Sequence, residues 1–141
     1  MALVVYYSRR GHVEKIAKAY ADKHCSELYR IEAKDNYSGI IGFLRAGRQA
    51  AKRIKAPIEP VTADLGSYDK VVVCGPVWAG NIASPIRTFL CDYGHKLNAV
   101  EYVLVSGSKA GTYQNLFEDM DELCGLKHLR AFTVSQGQEL I

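Results

Sequence analysis

The chain has 141 residues, and its 48% hydrophobic content is enough for one domain, residues 1–141, with a buried core. A formal net charge of +3 is too small to indicate nucleic-acid binding, and no apolar run is long enough to span a bilayer. The four cysteines form no CxxC pair and no cleavable leader precedes the first strand, so we expect reduced thiols in a cytoplasmic protein.

Short apolar segments alternate with helical patterns along the whole chain. The predicted strands are Leu3–Tyr7, Glu27–Ala33, Val71–Cys74, Val100–Val105 and Leu129–Val134. The predicted helices end near Ala21, Lys55, Leu90 and Leu123, and the last of them begins near Thr112. The third helix is expected to have Ser84 as its N-cap and Pro85 as its first residue.

This alternation predicts an α/β fold, a doubly wound parallel sheet of five strands with helices on both faces. Right-handed crossovers favour the strand order 2-1-3-4-5, in which the first and third strands are neighbours. The loops that follow those two strands should then border one crevice, which is where ligands bind in open parallel sheets.

The end of the chain predicts an uncovered sheet face. Only Ser135–Ile141 follow the last strand, so we expect the final helix to be short or missing. One face of the third to fifth strands would then expose an apolar patch too large for a monomer. A second copy, forming a homodimer, or an unusual path of the last residues is expected to cover it.

The first candidate site is the turn after the first strand. Its residues are Ser8, Arg9, Arg10, Gly11, His12 and Val13. Free N–H groups at the start of the following helix can bind an anion, and the serine and arginines add donors for phosphate. An ordinary capped turn with solvated arginines is the alternative.

The second candidate site is the loop after the third strand. It contains Pro76, Val77, Trp78, Ala79, Gly80 and Asn81. An aromatic ring among small residues suits stacking on a flat ligand, although Trp78 packing back on its own helix is an equal alternative.

A third loop follows the fourth strand. Its candidates are Ser106, Gly107, Ser108, Gly111 and Tyr113, with a flexible connection as the alternative.

Two other features have ordinary explanations. Arg45, Arg48 and Lys52 form a basic side on the second helix, either solvated or facing an acidic partner. Cys74 is expected to be a core residue and not a nucleophile.

The three loops together resemble the flavodoxin family. YYSRRGHVEKIA resembles the loop that wraps the FMN phosphate, with Arg10 and Val13 where the family has threonines. YDKVVVCGPVWAGNIASPIRTFL is similar to the second flavin loop, and LVSGSKAGTYQNLFEDM to the third. The segment GFLRAGRQA also looks like a helix of short bacterial members. The resemblance implies that the first loop holds the phosphate, that residues 76–80 border the isoalloxazine, and that Ser106, Gly107 and Gly111 reach its far edge.

This resemblance implies an FMN-binding redox protein in which the flavin performs the chemistry and no side chain acts as catalytic acid or base. Its partner would be a redox protein or a small electron acceptor, and no metal site is expected. The alternatives are a small FMN-dependent NAD(P)H:quinone-type reductase and a flavin-free interaction module.

Overall fold

The computed structural model describes residues 1–107 and 113–135. The strands are β1 (Ala2–Tyr6), β2 (Glu27–Arg30), β3 (Lys70–Trp78), β4 (Asn81–Ile82), β5 (Val100–Ser106) and β6 (Arg130–Ser135). The helices are α1 (His12–Lys23), α2 (Gly39–Ala51), α3 (Ser84–Tyr93) and α4 (Gln114–Cys124). Two short 3-10 turns, Leu65–Ser67 and Gly94–Lys96, precede β3 and follow α3.

The sheet is parallel except at one short strand. The described residues form six strands in the order β2-β1-β3-β5-β6, with β4 antiparallel to the end of β3. The predicted α/β class and parallel sheet are confirmed. The predicted five strands in the order 2-1-3-4-5 are wrong, because the extra strand β4 lies in what the sequence analysis treated as a loop.

Each face of the sheet has its own core. On β3, Val71 and Val73 point to one face, where α2, α3 and α4 pack, while Val72 and Cys74 point to the other, where α1 packs. Both sets of side chains are buried, which is why these strands are continuous apolar runs.

Several predicted boundaries differ from the observed ones. Helix α2 ends at Ala51 and not near Lys55, because Arg53 has a φ of 54° and leaves the helical region. Strand β2 ends at Arg30, and Ala33 forms an isolated bridge to Ile58 instead. Strand β3 continues through Trp78, four residues beyond its predicted end at Cys74.

The start of α3 also differs from the prediction. Ala83 is its N-cap, and Ser84 is the first helical residue, so Ser84 does not cap the helix. Ala83 follows β4 directly, and its N–H bonds to the Pro76 carbonyl, which turns the chain into the helix one residue early. The Ser84 hydroxyl is consequently buried and has no hydrogen-bond partner.

The sheet face expected to be bare is buried over the described residues. Val103, Val105 and Val134 all lie in the core on that side of the sheet. Part of the cover comes from Tyr20 of α1, whose ring centroid lies 6.2 Å from that of Phe132 on β6. No bare apolar patch is therefore seen over the described residues. Residues 136–141, where a short or missing final helix and an unusual covering path were predicted, lie outside the described residues.

Among the described helices, none combines the length and apolar character needed to cross a bilayer.

Candidate functional site

The turn between β1 and α1 is organised by Ser8 and Gly11. The buried Ser8 Oγ accepts a hydrogen bond from the Gly11 N–H at 2.9 Å. Gly11 has a φ of 95°, a conformation that glycine adopts without strain, and it directly precedes the first turn of α1. N–H groups in the first turn of a helix have no acceptor within that helix, so those of His12 and Val13 are available to an anion.

Arg9 connects this turn to the start of α2. Its Nε donates to the Tyr37 carbonyl oxygen at 2.7 Å, and its Nη2 donates to the Gly39 carbonyl oxygen at 3.2 Å. The guanidinium carbon lies 5.5 Å from the centroid of the Phe43 ring. Arg9 therefore positions the α2 side of the site, and Arg10, which is exposed, is the freer cation of the two.

The end of β3 and β4 form a two-residue hairpin. Trp78 pairs with Asn81, and the two residues between them, Ala79 and Gly80, have φ values of 49° and 77°. Two successive positive φ values are typical of the type I′ turn, whose twist matches that of paired strands. The hairpin fixes the backbone on both sides of Trp78.

Trp78 belongs to an aromatic cluster. Its ring is edge-on to Tyr7, with centroids 5.7 Å apart, and to Tyr37, with centroids 5.0 Å apart. The half-buried indole therefore packs on aromatic side chains from the end of β1 and from the connection before α2. Rings held in this way keep one orientation, which suits a wall of a ligand site.

The third loop is described in part. The buried Ser106 hydroxyl lies 3.2 Å from the Tyr113 hydroxyl, so these two residues connect the end of β5 to the start of α4. Gly107 is exposed beside them. Ser108 and Gly111, which were predicted as site residues, lie outside the described residues.

One cavity of about 400 Å³ collects most of these residues. The predicted residues that line it are Ser8, Arg9, Arg10, His12, Val13, Pro76, Val77, Trp78, Ala79 and Gly107. Gly80, Asn81 and Tyr113 border a separate pocket of about 330 Å³ beside α4. Gly11 and Ser106 line neither, and they act on the first cavity through the turn and the strand end that contain them.

Comparisons with known proteins agree with this architecture. A flavoprotein from Lactobacillus acidophilus NCFM, solved in complex with FMN, has a TM-score of 0.76 at 23% identity, over 94% of this chain and 91% of that one. The fold is flavodoxin-like. The resemblance drawn from the three loops is thus confirmed at the level of the fold.

Curated relatives are similar over part of their length. An NAD(P)H dehydrogenase (quinone) 3 of Rhizobium meliloti is 37% identical over 103 residues, which are 65% of this chain and 43% of that protein. An NAD(P)H dehydrogenase (quinone) of Cupriavidus metallidurans is 33% identical over 92 residues, covering 65% and 46%. The chain spans less than half the length of these relatives. No family model matches it.

The cavity has one wall that was not predicted from the sequence. Phe43, Ala46 and Gly47 of α2 line it, together with Val105 at the end of β5. The feature that could have indicated this wall is Phe43, an aromatic residue among the arginines of a helix whose basic side was expected to be solvated. The sequence alone did not indicate that this helix lies against the β1–α1 turn.

The charges and pKa values of the residues at and near the cavity limit the chemistry that they can perform. Arg9 and Arg10 line it, whereas no carboxylate does among the described residues, so the cavity favours an anionic ligand. Burial raises the pKa of the nearby Cys74 thiol to about 12, and burial likewise raises the pKa of Tyr7 to about 12. Both groups therefore remain protonated near neutral pH, and Cys74 is not a nucleophile there.

Proposed function

We propose that this chain binds FMN non-covalently and acts as a flavin-dependent redox protein. The observation that carries the proposal is that the anion-binding turn, the Trp78 hairpin and Gly107 line one cavity. Its volume of about 400 Å³ lies in the usual range for small-molecule sites. The FMN bound by the Lactobacillus flavoprotein gives independent support from a protein of the same fold.

The residues present fit the two ends of FMN. Backbone N–H groups after Gly11 and the Arg10 side chain would hold the phosphate, since both favour negative charge. Pro76 and Trp78 would border the flat ring system. The replacement of two family threonines by Arg10 and Val13 exchanges two hydroxyl donors for one cation.

FMN, when bound, supplies the electron-transfer chemistry. The protein's own residues bind and orient it and exclude water. The apolar wall formed by Val77, Val105 and Phe43 keeps solvent from one side of the cavity. Because Cys74 and Tyr7 stay protonated, neither adds a negative charge to the ends of β1 and β3, which border the cavity.

We further propose a small quinone-type acceptor with NAD(P)H as electron donor. The support is the identity of the two dehydrogenase relatives, which extends over 65% of this chain. NAD(P)H oxidation by the FMN-loaded protein alone is the expected result. A requirement for a separate reductase would instead identify an electron carrier.

A cytoplasmic location and a homodimer, both expected from the sequence, remain proposals. Four free cysteines, two of them buried, support a reducing compartment. Sedimentation velocity over a range of concentrations tests the homodimer.

The decisive experiment titrates the apo-protein with FMN. Trp78 is the only tryptophan, so its emission reports directly on the cavity, and we expect FMN to quench it. Trp78→Phe should keep part of the affinity and Trp78→Ala should lose at least about tenfold, equivalent to about 1.4 kcal/mol of aromatic contact. Flavin fluorescence follows binding in both variants.

Riboflavin is the matched control ligand because it lacks the phosphate. Arg10→Ala should weaken FMN binding and leave riboflavin binding unchanged, whereas substitution of Lys15, an exposed lysine on α1 that does not line the cavity, should change neither. If FMN does not bind to the wild-type protein and does not quench Trp78 emission, the flavin-free interaction module replaces this proposal.

A further inference from the structure

The first turns of α2 expose an unusual amount of apolar surface. Ile40, Ile41, Phe43 and Leu44 are 80%, 75%, 59% and 63% exposed, respectively. The helix does have a buried face, but Gly42, Ala46 and Ala50 provide it. The larger apolar side chains therefore project away from the core into solvent, where they need another explanation.

Helical spacing sorts the outer surface of α2 into two stripes. Counted from Ile40, Phe43, Leu44, Gly47 and Ala51 lie at i+3, i+4, i+7 and i+11, so these residues share one side of the helix and form an apolar stripe. Phe43 and Gly47 of this stripe also line the cavity.

The second stripe is basic. Ile41 is followed at three- and four-residue steps by Arg45, Arg48 and Lys52, and all three of these cations are exposed. The chain contains no aspartate or glutamate between Asp35 and Glu59. Arg45 donates to the Asn36 carbonyl oxygen, and none of the three cations forms an ion pair within residues 1–107 and 113–135.

We propose that this surface of α2 docks on an anionic lipid bilayer, with the apolar stripe and the adjacent Ile41 inserted at the interface and the three cations facing the lipid head groups. Asp35 does contact α2, through a 2.9 Å hydrogen bond from Gln49 Nε2, but it forms no ion pair with the three cations. An apolar helix surface flanked by lysine and arginine that are not ion-paired within the described residues has the complementarity that such membranes select. Phe43 lies at once on the docking surface and on the cavity wall, so docking brings the cavity to the bilayer.

A second copy of the chain fits this surface less well. An antiparallel two-fold contact through α2 would place the basic stripe of one copy on the same side as that of the other, and like charges would repel. Four protruding side chains on a convex helix are also far fewer than the 20–30 residues that each partner of a stable protein interface contributes. A bilayer needs neither a matching pocket nor a complementary protein surface.

The docking is independent of the proposed function, but the two are connected if both hold. An acceptor of the quinone type that partitions into lipid would reach the cavity beside Phe43 without crossing water. Lipid binding is measured on the apo-protein, and FMN binding is measured without lipid, so each proposal can fail separately.

The experiment is flotation of the full chain, apo and FMN-loaded, with phosphatidylcholine vesicles that contain or lack phosphatidylglycerol. We expect binding only to the anionic vesicles and release at high salt. The double substitution of Ile40 and Ile41 by serine should reduce partitioning at least about tenfold, because two large side chains no longer leave water. FMN affinity should not change, since neither residue lines the cavity.

A control variant removes an exposed apolar side chain elsewhere on the surface. Leu129→Ser alters a side chain that is 66% exposed just before β6, and it should leave vesicle binding unchanged. The role of charge is tested with Arg48→Glu and Lys52→Glu, each of which should lower vesicle binding about fivefold or more. Lys127→Glu, beside α4, is the control and should leave vesicle binding unchanged. These surface variants keep the test valid if the isoleucine variant does not fold.

Three results would overturn the proposal. The first is wild-type protein that does not float with anionic vesicles, and the second is binding that survives both the serine and the glutamate substitutions. The third is a concentration-dependent dimer that disappears on substitution of Ile40 and Ile41, which would assign the surface to a second copy.

Discussion

Gly42 lies where α2 approaches the preceding connection most closely. A Cβ atom on this residue would lie 2.1 Å from the carbonyl carbon of Tyr37 and 2.4 Å from its oxygen. Both are backbone atoms, so no side-chain rotation relieves the contact. In Gly42→Ala, the helix and the connection must separate by more than about 1 Å to restore ordinary van der Waals distances.

Two opposing contributions determine the size of the effect. Crowding typically costs about 1–3 kcal/mol, and contacts as short as 2.1 Å with backbone atoms place Gly42→Ala in the upper part of that range, about 2–3 kcal/mol. Alanine in a helix interior is about 1 kcal/mol more favourable than glycine, which offsets part of this cost. We therefore expect Gly42→Ala to lower the free energy of unfolding by about 1–2 kcal/mol. Gly47 in the same helix is the matched control, because a Cβ there meets nothing within 4 Å. Gly47→Ala should raise the free energy of unfolding by about 0.5–1 kcal/mol.

Urea denaturation of the apo-proteins measures both changes, with the denaturant slope expected to stay the same. A Gly42→Ala variant as stable as the wild type would contradict this expectation, and so would equal destabilisation of both alanine variants. The first outcome would mean that α2 moves away from the preceding connection without a loss of folding free energy. The second would mean that alanine destabilises this helix wherever it is placed.

Three further predictions concern the hairpin, a tyrosine and a buried hydroxyl. Gly80→Ala should destabilise the apo-protein by about 1 kcal/mol in urea, because its φ is 77°, and Gly80→Asn should cost less. The raised pKa of Tyr7 contributes stability that is complete below pH 10 and is lost as pH rises toward 12. Tyr7→Phe should therefore reduce the loss measured between pH 9 and pH 11 by about 1 kcal/mol; an unchanged pH profile would contradict this. Thr88→Val leaves the buried Ala56 N–H without its acceptor and should cost about 1–3 kcal/mol by the same assay, whereas Thr88→Ser should retain most of the stability.

The sequence predicts the parallel sheet well because its central strands are buried on both faces. Val71–Cys74 can be assigned as a buried strand without knowledge of tertiary contacts, because an uninterrupted β-branched run is typical of such strands. The continuation of β3 through Gly75 and Pro76 was missed because both residues disfavour strands locally. Pairing with Leu104 and Val105 of β5 overrides that preference, and pairing of this kind becomes visible only once β5 is in place.

The candidate site likewise contains residues that the sequence identifies and residues whose position depends on tertiary contacts. Residues that follow a strand directly, such as Ser8 and Trp78, could be identified because parallel strands end at one edge of the sheet. The α2 wall could not, because its position depends on contacts between segments distant in the chain. The bonds from Arg9 to the carbonyls of Tyr37 and Gly39 span 28 and 30 residues, and no periodicity encodes them.

Those two bonds have a practical meaning for redesign. Because Arg9 donates to main-chain oxygens, the attachment of α2 does not depend on which side chains the helix presents to the cavity. Phe43, Ala46 and Gly47 can then be randomised together while Arg9 and Gly42 are kept. A library built in this way would alter the size and polarity of the cavity and leave its frame intact.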